Sequence, residues 1–108
     1  HALRGIATLL CEQPNAQLHL LATGLVFGVG YSLGLSRADW QSLVLTVSVV
    51  WLAEGLNTAL EYLCDAAVPE SHPLIRKAKD VAAGSVLICS GFAILMAALI
   101  FLPYLIPA

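Results

Sequence analysis

Apolar residues run along this chain in three long blocks separated by short polar segments, a pattern of continuous burial rather than the one-sided stripe of a helix in water. Leu18 to Leu35 holds no charged side chain apart from His19, and its eighteen residues at about 1.5 Å each cover about 27 Å, enough to cross the hydrocarbon. A second block runs from Trp40 to Cys64 and a third from Val81 to Leu102. The β-branched stretch Val44 to Leu52 would suggest a strand in water, but in lipid a segment must satisfy its own backbone hydrogen bonds, so helix is expected. Ahead of these blocks, Ala2 to Cys11 is too short to span and carries Arg4, so it reads as a helix lying on the interface. The expected layout is a surface helix and turn over 1–14, spans over 17–36, 40–65 and 81–103, and a loop over 66–80. The fold class is all-α and integral to the membrane, a single membrane-embedded domain in an oligomeric helical bundle.

Composition supports the bilayer as the solvent. Of 108 residues, 59% are hydrophobic and 11% charged, too few charges to clothe a soluble domain of this size. A net charge of −2 supplies no basic surface, so nucleic acid is not an expected partner. Cys11, Cys64 and Cys89 form no CxxC pair and His1, His19 and His72 are equally scattered, which leaves no zinc pattern. The first residue is His1 rather than Met, so the natural chain is expected to begin further upstream, and no cleavable leader is evident. Gly24 and Gly28, Gly30 and Gly34, and Gly84 and Gly91 place small residues where neighbouring helices could approach, with tight packing expected near the AAGS at the start of the third span. Arg4, Arg76, Lys77 and Lys79 lie on one side of the spans and Arg37 on the other. The positive-inside rule then puts the N-terminus and the 66–80 loop, broken by Pro69 and Pro73, in the cytoplasm.

Against this background the segment EGLNTALEYLCD, Glu54 to Asp65, stands out. At about 100° per residue Glu54, Asn57, Glu61 and Asp65 share an arc of about 80°, one polar stripe on an apolar rod. An ionisable group at bilayer depth costs on the order of 2.5 to 3.5 kcal/mol, so several on one face imply shielding and a task. Glu61 and Asp65 lie nearest the cytoplasm with Lys79 and Asp80 level with them, while Glu54 lies deeper by about 10 Å. That gradient suits a phosphate donor entering from water and an alcohol presented by a lipid. Glu61 with another acid could ligate Mg²⁺, which favours oxygen and commonly takes one or two carboxylates plus phosphates. Lys79 could neutralise phosphate oxygens, the poorly hydrated Glu54 could accept a hydroxyl proton, and Asn57 one turn on could orient either group. Spacing alone leaves a second reading open, in which the acids pair with Lys79 and fix helix packing, or line a cation path in a non-catalytic assembly. Three helices offer little interior for four polar groups, so the stripe is expected to face another copy or a water-filled groove in a homo-oligomer.

The run Glu54-x-x-Asn57-x-x-x-Glu61-x-x-x-Asp65, then His72-Pro73 and Lys79-Asp80-Val81-Ala82-Ala83-Gly84, resembles the prokaryotic diacylglycerol kinase family, which includes the undecaprenol kinases. The resemblance covers nearly the whole chain. It implies a homotrimeric, multi-pass enzyme of the bacterial inner membrane whose site faces the cytoplasm and moves the ATP γ-phosphate to a lipid alcohol with Mg²⁺. Carried over by motif, Glu54 resembles the catalytic base with Asn57 beside it. Glu12 and Glu61 resemble metal ligands, and Lys79 and Asp80 phosphate and nucleotide contacts. Asp65, His72 and Glu12 match positions near the nucleotide. Leu18 stands where the best-known diacylglycerol kinases carry an acid, and the His72-Pro73 and AKDVAAG wording looks closer to the undecaprenol kinase branch.

Overall fold

The computed structural model describes residues 1–107. Four helices follow one another: α1 Ala2–Glu12, α2 Pro14–Leu33, α3 Arg37–Ala67 and α4 Pro73–Leu105. The last three are long and apolar enough to cross a membrane, while α1 is strongly amphipathic and buries no residue in the fold. Three such helices are those of a multi-pass membrane protein. Large apolar side chains such as Leu21, Leu25, Leu87, Phe92 and Ile94 point outward, which a bundle in water could not sustain and one in lipid requires.

Local chemistry sets each boundary. Gln13 is extended at φ −112° because Pro14 excludes the helical region from the residue before it, and Pro14 then opens α2 where its missing N–H costs nothing. Gly34 ends α2 in the left-handed region at φ 69°, and its N–H and that of Leu35 both donate to the Gly30 carbonyl. Ser36 opens α3, its Oγ accepting from the Asp39 N–H. Of the expected loop over 66–80 only residues 68–72 are loop, because α3 runs on to Ala67 and α4 begins at Pro73. Helix resumes at Pro73, because proline at the first helical position continues a helix rather than breaking it, and the His72 Nδ1 caps it by accepting from the Leu74 N–H at 3.1 Å. At the far end α4 runs through Pro103 to Leu105, two residues beyond the expected limit.

The apolar core sits toward the Ser36 turn, where Leu35, Leu43, Ile100 and Phe101 are buried and Phe27 meets Trp40 edge to face at 5.8 Å. Gly30 allows a close approach there: a Cβ would come within 2.8 Å of Leu35 Cδ1 and 3.1 Å of Trp40 Cη2, so those side chains would have to shift to admit it. The other glycines make no such approach within the chain. A Cβ at Gly24, Gly28, Gly84 or Gly91 would meet nothing within 4 Å, so the tight packing expected at AAGS is not formed inside this subunit. The turn is tied to the end of α4 by Tyr104, whose hydroxyl donates to Asp39 Oδ2 at 2.7 Å and accepts from the Ser36 N–H at 3.0 Å. Packing thus concentrates at one end of the bundle and leaves the polar side chains at the other.

Candidate functional site

The polar stripe of α3 is graded by burial. Glu54 is 1% exposed and Asn57 8%, Glu61 is half-buried, and Asp65 is exposed. Thr58, four residues after Glu54 and on the same face, is 5% exposed and extends the stripe. Three atoms in this group, Glu54 Oε2, Asn57 Oδ1 and Thr58 Oγ1, are buried without a hydrogen-bond partner. Each such group costs on the order of 1 to 3 kcal/mol, so three side by side mark a place held for something other than packing.

Around Glu54, α2 supplies the only cation-forming side chain within ion-pair reach among the described residues. His19 Nε2 lies 3.6 Å from Glu54 Oε2. The imidazole meets Trp51 edge on at 6.2 Å, Trp51 Nε1 donates to Thr23 Oγ1, and the Thr23 hydroxyl donates to the His19 carbonyl. His19, Thr23 and Trp51 also line an apolar cavity of about 230 Å³ between α2, α3 and α4, with Val47, Val50 and Ala93 among its walls. The alternative reading, in which the acids pair with Lys79, does not extend to Glu54 among the described residues. Lys79 instead bonds Asp65, an exposed carboxylate at the mouth.

One to two turns along α3, Glu12 is brought in by the short α1–α2 corner. Tyr62 donates to Glu12 Oε1 at 2.8 Å and accepts from Gln13 Nε2 at 2.9 Å. Glu12 and Glu61 are both within electrostatic reach of the Tyr62 hydroxyl, and Glu61 is also within reach of Lys79. Asp65, His72, Lys79 and Asp80 line a second, polar cavity of about 380 Å³ that Arg76 also lines, at the N-terminal end of α4. Among the described residues no three His, Cys, Asp or Glu side chains converge to hold a metal ion by themselves. The oxygen donors Glu12 and Glu61 fit a hard cation that completes its shell with phosphate and water, which needs only one or two carboxylates.

The eight sequence-predicted residues fall in three groups: Glu54 with Asn57 on α3, Glu12 and Glu61 about the Tyr62 hydroxyl, and Asp65 with His72, Lys79 and Asp80 around the polar cavity. Sequence reasoning did not assign His19, Thr58, Tyr62 and Arg76 to the site. Thr58 was recoverable from its i+4 spacing to Glu54, Tyr62 and Arg76 from their places beside Glu61 and Lys79. For His19 only the three-dimensional meeting of α2 with α3 reveals it.

A profile of the prokaryotic diacylglycerol kinase family matches residues 1–101. The chain is similar to the undecaprenol kinase of Bacillus subtilis, 36% identical over 105 residues that cover 97% of this chain and 85% of that protein. It is similar also to the diacylglycerol kinase of Synechocystis sp., 34% identical over 107 residues that cover 98% of this chain and 61% of that protein. With the graded stripe and its flanking cavities already in place, a match of this extent means that the chain belongs to the prokaryotic diacylglycerol kinase family.

Proposed function

We propose that this protein is a membrane lipid kinase that transfers the γ-phosphate of ATP to the hydroxyl of a lipid alcohol, diacylglycerol or undecaprenol. The observation that carries the proposal is Glu54: a carboxylate 1% exposed within a membrane-spanning helix, with one oxygen lacking a hydrogen-bond partner and, among the described residues, no Lys or Arg within ion-pair reach. A side chain that costly to bury is retained for chemistry rather than for packing. The apolar cavity that reaches His19 supports a lipid co-substrate, since a chain lying along Val47 and Val50 would bring its polar end toward Glu54.

In this reading Glu54 takes the proton from the lipid hydroxyl as that oxygen attacks the γ-phosphorus, and the bond from phosphorus to the β–γ bridging oxygen breaks to release ADP. Asn57 and Thr58, adjacent on the same face, orient the hydroxyl. Lys79 and Arg76, beside the positive end of α4, hold the phosphates, Lys79 exchanging its bond to Asp65 for one to a phosphate oxygen. Asp80, His72 and Asp65 line the nucleotide side, where capping through Nδ1 leaves His72 Nε2–H free to donate. Glu12 and Glu61 would hold Mg²⁺, which supplies charge neutralisation on the transferring phosphate. We further propose a homotrimer in the bacterial inner membrane with the site toward the cytoplasm. The cation distribution supports that orientation, and the unpartnered Asn57 and Thr58 support a neighbouring subunit against the stripe.

The test is transfer of labelled γ-phosphate from MgATP to diacylglycerol and to undecaprenol, side by side in mixed micelles. Labelled lipid is expected from at least one, and the faster substrate names the branch. A folded oligomer that labels neither would contradict the kinase and favour an assembly or a cation path.

A further inference from the structure

We propose that His19 is the positioning residue for Glu54, its Nε2–H donating to Oε2 so that the other carboxylate oxygen is left aimed at the lipid hydroxyl. This rests on the reading of Glu54 as proton acceptor and adds to it the group that aims it.

Three observations meet at this point. Glu54 Oε2 is buried and unpartnered, and the polar side chain in position to satisfy it is His19, with Nε2 at 3.6 Å. That separation is just beyond hydrogen-bond length, and contacts of this kind commonly tighten when substrate arrives and water leaves. The imidazole is also held rather than loose. Trp51 stands edge on against it, and Trp51 is fixed in turn through Nε1 to Thr23, which is anchored on the His19 carbonyl one turn back along α2. This closed loop of α2 and α3 residues fixes one face of the ring and leaves Nε2 toward the carboxylate. Finally, His19 borders the apolar cavity, so the group that aims Glu54 also stands at the point where a lipid chain would end. Among the described residues of α2, α3 and α4, no other ionisable side chain lines that cavity.

The experiment compares His19→Leu, which keeps bulk but removes the donor, with His19→Gln, which restores an N–H at similar reach. Both are read as kcat and KM, and as the ¹³C carboxyl resonance of Glu54, identified by its loss in Glu54→Gln. His19→Leu is expected to lower kcat by about 10- to 100-fold with KM for MgATP unchanged, and to move the Glu54 resonance. His19→Gln should recover most of both. A wild-type kcat in His19→Leu, a Glu54 resonance that does not move, or a Gln variant no better than Leu would each overturn the assignment. Trp51 fluorescence and oligomer size keep misfolding separate from lost positioning, since a merely structural His19 would move these and gain nothing from the Gln amide. If Glu54→Gln retained full transfer, the proton-acceptor reading would fall, while the resonance comparison would still decide whether His19 holds the carboxylate.

Discussion

Tyr104→Phe separates the end of the bundle that holds it together from the end that carries the chemistry. The substitution keeps the ring and its packing but deletes the hydroxyl that donates to Asp39 at 2.7 Å and accepts from the Ser36 N–H at 3.0 Å. The exposed Ser36 N–H returns to water at little cost. The bond to a partly buried carboxylate falls in the upper range of hydrogen-bond contributions, so the loss should be about 1 to 2 kcal/mol. A double-mutant cycle with Asp39→Ala should recover most of that as coupling, because Tyr104 and Asp39 act on each other across the join between α4 and the α2–α3 turn. Phosphate transfer at low temperature should be unchanged, since Asp39 and Glu54 are fifteen residues and therefore about 22 Å apart along α3. The assay is reversible unfolding in micelles by denaturing detergent, with transfer measured in parallel. Additive single and double mutants, or a loss of transfer as large as the loss of stability, would refute the division of labour.

Two further sets of substitutions probe the polar end of the bundle. Lys79→Met should raise KM for ATP by roughly tenfold with little change in stability, because its partner Asp65 is exposed and returns to water; an unchanged ATP titration would remove Lys79 from the phosphate site. Glu61→Gln should raise the Mg²⁺ concentration for half-maximal transfer by at least about tenfold, and Tyr62→Phe, which releases Glu12, by up to about tenfold. A Mg²⁺ titration indifferent to both would argue against ligation by Glu12 and Glu61.

The three spans were legible because lipid demands continuous apolar length, and nothing in the chain competes with that signal. The face of α3 was legible because helical geometry alone aligns Glu54, Asn57, Glu61 and Asp65. Pro73 misled because proline both ends and begins helices, and only the His72 cap and the resumption of hydrogen bonding distinguish the two. His19 could not be found from spacing, since its meaning lies in the crossing of α2 over α3 and its neighbours in sequence are apolar. The tie made by Tyr104 could not be found from spacing either, since the hydroxyl's partners lie 65 and 68 residues earlier in the chain. Motifs carried by one helix are therefore visible in the sequence, and those assembled by two are not.

The measurement that bears most directly on the account is labelled γ-phosphate transfer by Glu54→Gln beside the wild type, in micelles containing both lipid alcohols, with oligomer size checked for each. The amide is nearly isosteric and replaces a buried carboxyl whose Oε2 has no hydrogen-bond partner, so the variant should fold about as well as the wild type. Transfer should fall by about 100-fold or more, the contribution of a positioned base. A Glu54→Gln protein that assembles normally and transfers phosphate at the wild-type rate would contradict the central claim.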